Sequence, residues 1–212
     1  NAELIKVSYN TFISTKIAFI NTIMEMCHKL PNTNIDDVTN GLMLGNKRLI
    51  SGAYLRGGMG DGGGCHPRDN IALSWLARKL NISNDFFDQI MKQREEQTNW
   101  LAELIVENQI KDKKTYILGK SFKPETNITT GSPSILLSNI LKEKGIDAVS
   151  YDPYVDNQKP LFEKGVYFLG TQHEVFEQFN FPEGSVVIDP FRMISKNKKG
   201  LKIIRIGDRK ED

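Results

Sequence analysis

The spacing of apolar residues changes near residue 110, and this change constrains the fold more than any other feature of the chain. Before it, apolar residues recur at steps of three and four, the pattern of amphipathic helices. The helices predicted from this pattern cover residues 3–30, 34–40, 69–80 and 83–108. After it, short apolar runs are bounded by glycine, proline or aspartate, as buried strands are. We therefore predict a helical domain over residues 1–110 and a domain of another class over residues 111–212.

The second half alternates short strands with helices. Strands are predicted at 115–118, 148–151, 166–169, 186–189 and 203–206. One helix begins at Ser132–Pro133, with proline at its first position, and ends at Lys144, while another is predicted near 171–179. Such alternation predicts a doubly wound parallel sheet, which binds ligands at the carboxyl ends of its strands. The predicted fold class is therefore α and α/β, a helical domain followed by a doubly wound domain.

Composition excludes several classes of protein. The 212 residues include 39% hydrophobic side chains and carry a net charge of +2, ordinary values for a globular chain, without the basic block of a nucleic-acid binder. No apolar run reaches the ~18 residues of a membrane span. Two cysteines make no disulfide framework, which favours a reducing cytosol and a cytoplasmic protein. Because the chain begins with Asn1, we expect it to be a piece of a longer protein.

The segment from Gly57 to Asp69 reads GGMGDGGGCHPRD, with six glycines in its first eight residues. Glycine has no Cβ, so its backbone admits a ligand closely and adopts positive φ. Cys65 is the nucleophile that such a loop would present to a ligand. An inert, buried thiol beside a flexible loop is the alternative. From the residues alone, both interpretations stay open.

Four segments together carry a resemblance to one family: AELIKVSYN, RLISGAYLRGGMGDGGGCHPRD, ILGKSFKPETN and VIDPFR. The chain resembles the central and C-terminal domains of the nucleotide-sugar dehydrogenases, the family of UDP-glucose 6-dehydrogenase and GDP-mannose 6-dehydrogenase. The resemblance implies a helical dimerisation domain, a homodimer, and a Rossmann-like domain that binds a UDP- or GDP-sugar. It also implies NAD as cofactor, held mainly by a domain that is not in this chain. No G-x-G-x-x-G follows a strand here, so we expect the chain to be inactive on its own.

The resemblance implies oxidation of the sugar C6 alcohol to an acid by two hydride transfers to NAD. Cys65 would attack the intermediate aldehyde, because a thiohemiacetal presents a second hydride that a plain aldehyde lacks. Lys6 would stabilise the oxyanion at C6, with Asn10 as its hydrogen-bonding neighbour. Asp69 would act as a general base or orient water. From the residues alone, Lys6 is an ordinary solvated lysine, and Asp69 an acid in the first turn of a helix that starts near Pro67.

The resemblance also implies which residues bind the substrate. Phe122 and Lys123 follow the first strand of the second domain, and Arg192 follows the fourth, so all three lie where doubly wound folds bind ligands. Arg48 matches an arginine that reaches the substrate across a dimer interface, although an exposed surface arginine is the alternative. The remaining matches are Tyr54 and Gly62, in the loop around the sugar, and Arg68, on the cofactor side. No metal site is predicted.

Five positions depart from the family's usual pattern. His66 follows the cysteine where Phe, Leu or Ile is usual, and Arg68 keeps the charge of the usual lysine. Asp61 occupies a loop position where relatives usually have a phenylalanine-like residue. Thr130 and Gly131 replace an arginine and an acid, which removes a charge on the cofactor side. These departures predict an altered sugar pocket and altered closure around NAD.

Two other functions stay open at this point. The changes at Thr130 and Gly131 are compatible with a non-catalytic dimer that binds a sugar nucleotide without oxidising it. Cys65 and His66 would suit a thiol hydrolase or a redox protein. Side chains of adjacent residues seldom face each other, so this alternative ranks third. The sequence identifies neither the base nor the sugar.

Overall fold

The structure is a computed structural model that describes residues 1–2, 5–6, 12, 15–16, 19, 23–27, 29–33, 35–49, 51 and 57–208. The chain divides into two compact units. The helical unit comprises residues 1–56 and 69–91, and the sheet unit comprises residues 57–68 and 92–212. The glycine-rich segment 57–64, here named the glycine loop, belongs to the sheet unit. The boundary predicted near residue 110 had assigned it to the helical half.

The helical pattern of the first half is confirmed. It forms α1 (Ile35–Met43), α2 (Cys65–Lys79) and α3 (Phe86–Glu107). The described residues between 2 and 29 are helical too, in agreement with the helix predicted over 3–30. Asn34, the first residue of the helix predicted over 34–40, lies outside the described residues. None of the helices in the described ranges is both long and apolar enough to cross a membrane.

The core of the helical unit is small and aromatic. Met26, Ala77 and Phe87 are buried there. The rings of Phe19, Phe86 and Phe87 lie with centroids 6.1 to 6.4 Å apart, tilted or edge-on to one another. Aromatic pairs prefer such arrangements, which add to the stabilisation from burial. This cluster holds the N-terminal helical residues against α2.

Two helices begin at residues other than those predicted. α2 begins at Cys65 instead of residue 69, since Pro67 is tolerated in a first turn, where its missing N–H has no intrahelical partner. Asp69 is consequently the fifth residue of α2, and its predicted place in the first turn is wrong. α3 begins at Phe86 instead of residue 83, because the Asp85 carboxylate accepts the backbone N–H of Asp88 at 3.0 Å and caps the helix.

The sheet unit contains the predicted parallel sheet. Its strands are β1 (Thr115–Leu118), β2 (Val149–Tyr151), β3 (Val166–Leu169), β4 (Val186–Asp189) and β5 (Lys202–Arg205). They lie in the order β2-β1-β3-β4-β5, and all neighbours are parallel. From β1, the chain adds β2 on one side and β3, β4 and β5 on the other, so the strand order reverses between β1 and β3. Doubly wound sheets open a crevice for ligands at such a point.

Alternate residues of the strands pack into two different cores. Ile117 and Phe168 face a cluster that also contains Leu101 and Ile105 of α3. Tyr116 and its register partner in β3 face an aromatic cluster on the other side of the sheet. The side chains therefore alternate between two buried faces, as expected for a parallel sheet covered on both sides.

One of the two helices predicted around this sheet forms and the other does not. α4 (Pro133–Glu143) starts at the predicted proline, with the Ser132 hydroxyl accepting the Ser134 N–H at 3.2 Å. The helix predicted near 171–179 is wrong, because only a 3₁₀ turn, Glu174–Phe176, forms there. The buried side chains of Thr171 and His173 are bonded to the loop after β1, which fixes the backbone in a non-helical path.

Candidate functional site

The glycine loop lies against two phenylalanines that follow strands of the sheet. A Cβ on Gly58 would come within 3.0 Å of the Phe191 ring, beyond β4. Beyond β1, Phe122 would lie 3.0 Å from a Cβ on Gly62 and 3.1 Å from one on Gly63. Gly63 also has a φ of +86°, a value that L side chains rarely adopt. The glycines are therefore needed for contact with Phe122 and Phe191, a packing role that the sequence did not reveal.

Two side chains of α3 hold the glycine loop from the other direction. Arg94 Nε lies 3.0 Å from the Asp61 carboxylate and donates to the Asp61 carbonyl at 3.1 Å. Another guanidinium nitrogen of Arg94 donates to the Gly131 carbonyl at 3.2 Å, and Gln97 donates to the Gly58 carbonyl at 3.1 Å. The Arg94 side chain is only 11% exposed, so this charge is largely withdrawn from water. Arg94 thus joins the glycine loop to the segment before α4.

Close packing explains why residue 131, which departs from the family pattern, is a glycine. Its φ is +70°, and a Cβ there would overlap the carbonyl of Gly63. The glycine loop and the start of α4 therefore touch backbone to backbone. Any side chain at residue 131 would separate them.

Cys65 is exposed and is the first residue of α2. Helix N-termini favour negative charge, which suits a thiolate nucleophile. The next residue, His66, places Nδ1 3.6 Å from Asp61 Oδ2, and its side chain is 57% exposed. The departures at Asp61 and His66 thus face each other, and Arg94 pairs with the same carboxylate. Activation of the thiol by His66 stays a prediction.

The β1 loop, residues 119–131, carries Phe122 and Lys123. The ammonium of Lys123 lies 5.4 Å from the centroid of the Phe122 ring, a cation–π distance. Lys120 of the same loop is paired with Asp156 at 2.6 Å. Lys123 is therefore the exposed cation of this pair, whereas the charge of Lys120 is neutralised locally.

The buried carboxylate of Asp152, just after β2, anchors the β1 loop. Its Oδ2 accepts the backbone N–H groups of Lys120 at 2.7 Å and Ser121 at 2.9 Å. Burial raises the pKa of Asp152, but hydrogen bonds from His173 and from the backbone of Lys120, Ser121 and Tyr154 outweigh it and hold the pKa well below its usual range. Asp152 is therefore ionised, with both oxygens engaged by the protein.

Arg192 braces the loops at the end of β4. Its guanidinium donates to the carbonyls of Pro190 at 2.6 Å, Ile206 at 3.0 Å and Gly57 at 2.6 Å. Its φ is +60°, in the left-handed region, and its N–H donates to the carboxylate of Asp189 at 2.8 Å. The side chain predicted to bind substrate thus contacts the first residue of the glycine loop.

The sheet unit brings together only part of the predicted site. It contains Gly62, Cys65, Arg68, Phe122, Lys123 and Arg192, of which Phe122 and Arg192 contact the glycine loop. The helical unit contains Lys6, Arg48 and Asp69, all exposed. Asn10 and Tyr54 lie outside the described residues. Within the described ranges, no three His, Cys, Asp or Glu side chains are grouped as a metal site requires.

Several residues that shape the site were missed by the sequence analysis. They are Arg94, Gln97, Asp152, His173 and Phe191. Arg94 and Gln97 lie in a charged helical stretch whose local pattern resembles a solvated face. Asp152 ends a predicted strand, which was the one available signal, since polar residues at carboxyl ends of strands are candidates for function.

Comparison with known proteins gives consistent results. A model of the central domain of the UDP-glucose/GDP-mannose dehydrogenase family matches residues 1–96, and a model of the UDP-binding domain of that family matches residues 116–182. The UDP-glucose 6-dehydrogenase of Rickettsia conorii is 30% identical over 227 residues, covering 95% of this chain and 52% of that protein. UDP-glucose 6-dehydrogenase TuaD of Bacillus subtilis is 30% identical, covering 72% of this chain and 33% of that protein.

Solved structures show the same fold. A ternary complex of GDP-mannose dehydrogenase from Pseudomonas aeruginosa matches with a TM-score of 0.82 at 22% identity, covering 95% of this chain and 52% of that one. A UDP-glucose dehydrogenase from Pyrobaculum islandicum matches with a TM-score of 0.60 at 22% identity, covering 96% and 50%. The chain thus spans at most about half the length of these relatives.

Proposed function

This chain belongs to the UDP-glucose/GDP-mannose dehydrogenase family, with the central and the UDP-binding domains of that family, and we propose that its protein oxidises the C6 alcohol of a UDP- or GDP-sugar to the uronic acid. One observation supports this most: Cys65 is exposed at the start of α2, directly after a loop that contacts Phe122 and Arg192. A nucleophile is thereby set beside two loops at the carboxyl ends of strands.

Cys65 is the proposed covalent catalyst. Its thiolate adds to the carbonyl carbon of the aldehyde, so a carbon–sulfur bond forms and the carbonyl oxygen becomes an oxyanion. Lys6 is proposed to stabilise that oxyanion, with Asn10 beside it. When the reacting carbon has given its second hydride to the proposed acceptor NAD and its oxyanion has become a carbonyl, Cys65 holds the acyl group as a thioester. Water, deprotonated with the help of Asp69, attacks it, and the carbon–sulfur bond breaks to release the acid and the thiolate.

We propose that the sheet unit does not bind a dinucleotide. In dinucleotide-binding sheets, an acid after the second strand binds a ribose hydroxyl. Here both oxygens of Asp152 are engaged by protein N–H groups, and a Cβ on Gly119, after β1, would overlap Thr171. NAD is the proposed hydride acceptor, and we propose that it is held mainly by residues outside this chain, with Arg68 facing it.

The diphosphate of the substrate is assigned mainly to Lys123. Its ammonium is exposed beside Phe122, whereas that of Lys120 is paired with Asp156. Arg192 is the second proposed ligand, and it would reach the substrate by exchanging its exposed contact with the Gly57 carbonyl. Gly62 and Tyr54 are proposed to border the sugar.

A homodimer is proposed for the helical unit. An apolar groove of about 620 Å³ lies there, lined mainly by Phe12, Phe19, Leu42, Met43, Leu49 and Phe86. Met43 is 62% exposed and Leu49 53% exposed, which costs free energy in water. A second copy of this chain is the occupant we propose, with Arg48 reaching across to the substrate of the partner subunit.

The proposed reaction is tested by following NADH formation. The full-length protein is supplied with NAD and a panel of UDP- and GDP-sugars. Acid and NADH are expected with at least one sugar, in a ratio of one to two. Sugar-nucleotide binding without NADH formation on any member of the panel would favour the non-catalytic binding module. The non-catalytic alternative rested in part on the glycine at residue 131. Close packing of Gly131 against Gly63 explains that glycine without a loss of catalysis.

A further inference from the structure

His173 is fully buried in the sheet unit and makes polar contacts with three groups of the polypeptide. Its Nε2 lies 3.0 Å from the Ser121 hydroxyl and 3.1 Å from Asp152 Oδ2. Its Nδ1 accepts the backbone N–H of Glu125 at 3.2 Å. Ser121 and Asp152 are buried as well, so the side chains of His173, Ser121 and Asp152 have no water as an alternative partner.

These contacts define the state of the ring. Because Nδ1 accepts a hydrogen bond, the proton lies on Nε2, and the imidazole is neutral. The Nε2–H group donates toward the Asp152 carboxylate and the Ser121 oxygen. The Ser121 hydroxyl in turn donates to the Lys123 carbonyl at 3.1 Å. One histidine therefore uses both nitrogens to hold one loop.

The held segment is Lys120–Glu125, which contains Phe122 and Lys123. Asp152 fixes its first residues and the Nδ1 atom of His173 fixes its last. Glu125 has a φ of +56°, an unfavourable value for a residue with a Cβ, and the bond to His173 secures it there. Without His173, we expect the segment to relax.

The same segment touches the glycine loop. The Phe122 side chain lies against Gly62 and Gly63, which precede Cys65 by three and two residues. The described contacts thus run from His173 through Phe122 to the residues before the thiol. All of them lie within the sheet unit.

We propose that His173 is a positioning residue that couples the β1 loop to the glycine loop, which leads into Cys65. It holds Lys123 in place for a diphosphate, and through Phe122 it sets the position of Cys65. The inference rests on the proposed function, because it takes Lys123 as a phosphate ligand and Cys65 as the nucleophile. A histidine that only fills the core would affect stability and leave both sites unchanged.

The experiment uses the full-length protein with Cys27→Ala as background and measures the rate at which iodoacetamide alkylates Cys65, located by peptide mass spectrometry. UDP and GDP are the probes, and their affinities are measured by calorimetry. In the background protein, saturation with one of them is expected to slow alkylation by about fivefold or more. In His173→Ala, affinity is expected to fall by about tenfold, since hydrogen bonds to a charged partner are lost. Even at saturation, protection of Cys65 is expected to disappear.

Two conservative variants and one matched control separate positioning from stability. His173→Asn keeps an acceptor near Nδ1 and His173→Gln keeps a donor near Nε2, so each is expected to restore part of the protection. Ser185→Ala removes a buried hydroxyl at the amino ends of β3 and β4, where it accepts the Gly165 N–H at 3.2 Å. It is expected to lower stability and leave affinity and protection unchanged.

The outcomes distinguish the two proposals. If neither UDP nor GDP binds the background protein, the proposed function fails and this inference fails with it. If one binds, and the His173 variants that fold keep normal affinity and protection, only the positioning role is overturned. Should His173→Ala not fold, the Asn and Gln variants and Ser121→Ala decide in the same way.

Discussion

At the scale of single residues, glycine acts here mainly as a packing position. Gly131 and Gly145 both have left-handed backbones, with φ of +70° and +81°. A side chain at Gly145 would enter open space, whereas one at Gly131 would overlap the carbonyl of Gly63. The pair therefore separates the cost of backbone strain from the cost of a lost close contact.

Gly131→Ala is expected to destabilise the protein more than Gly145→Ala does. The strain of a left-handed alanine costs about 1–2 kcal/mol at either position. Overpacking against Gly63 adds about 1–3 kcal/mol at residue 131 alone. Urea denaturation of the two variants measures the difference in the free energy of unfolding. An equal decrease in the free energy of unfolding in both variants would show that the glycine loop makes no close contact with the start of α4.

Cys65→Ser is expected to abolish acid formation in the full-length protein and to leave sugar-nucleotide affinity nearly unchanged. The thiol is proposed to bond to the reacting carbon, and it is no binding anchor. Product analysis and calorimetry measure the two effects. Cys27→Ser is the matched control, because Cys27 lies in the helical unit, outside the proposed machinery, and its variant should remain active. Normal turnover by Cys65→Ser would eliminate the covalent mechanism.

At the scale of elements, the strands were predicted to within one residue and the polar contacts around them were not. β1, β3 and β4 are buried along their whole length, and fully buried strands appear in the sequence as continuous apolar runs. The segment after β3 has phenylalanines at helical spacing, yet Thr171 and His173 bond to the β1 loop and prevent a helix. Those partners are about 50 residues away in sequence, so the local spacing of apolar residues cannot predict these contacts.

In the candidate site too, features with a local sequence signal were predicted, and contacts between residues distant in sequence were missed. Cys65 was selected on signals that are local, a glycine tract and a motif shared with the family, and its role stays a prediction. Arg94 was missed because its carboxylate partner, Asp61, lies 33 residues away and its own surroundings are those of an exposed helix. Phe122 and Lys123 were placed on the correct loop. The packing of Phe122 against the glycine loop depends on tertiary structure alone.

Lys123→Ala is expected to weaken binding of the sugar nucleotide by about one to two orders of magnitude, since a hydrogen bond to a charged group contributes roughly 1.5–3 kcal/mol. Calorimetry on the full-length protein measures the change. Lys120→Ala is the control from the same loop, because its ammonium is paired with Asp156 at 2.6 Å. It should change the affinity less than about threefold. Comparable losses in both variants would indicate a diffuse electrostatic effect in place of a specific phosphate contact.

At the scale of the whole molecule, the helical unit exposes a contiguous apolar surface, which is unfavourable for a monomer in water. The groove beside α1 is lined by phenylalanine, leucine and methionine, and Leu44 next to it is 82% exposed. Surface of this kind is characteristic of an interaction site. The proposed partner is a second copy of the chain, because identical subunits bury such faces symmetrically.

Light scattering at micromolar concentration is expected to give the mass of a dimer. Met43→Lys, which places a charge on the groove, should shift the equilibrium toward the monomer. Val175→Lys is the control, since Val175 is similarly exposed but belongs to the sheet unit and does not line the groove, and it should leave the mass unchanged. A monomer with the unaltered sequence would contradict the proposed assembly.

We propose that this chain binds the sugar nucleotide and that NAD is bound mainly by residues outside it. Lys123 and Arg192 lie at carboxyl ends of strands, and Asp152, which occupies the place of a ribose ligand, is fully bonded within the protein. Calorimetry of the 212-residue chain with UDP-glucose, GDP-mannose and NAD tests this directly. The account predicts binding of at least one sugar nucleotide and no binding of NAD. Tight binding of NAD, or no response to either sugar nucleotide, would contradict it.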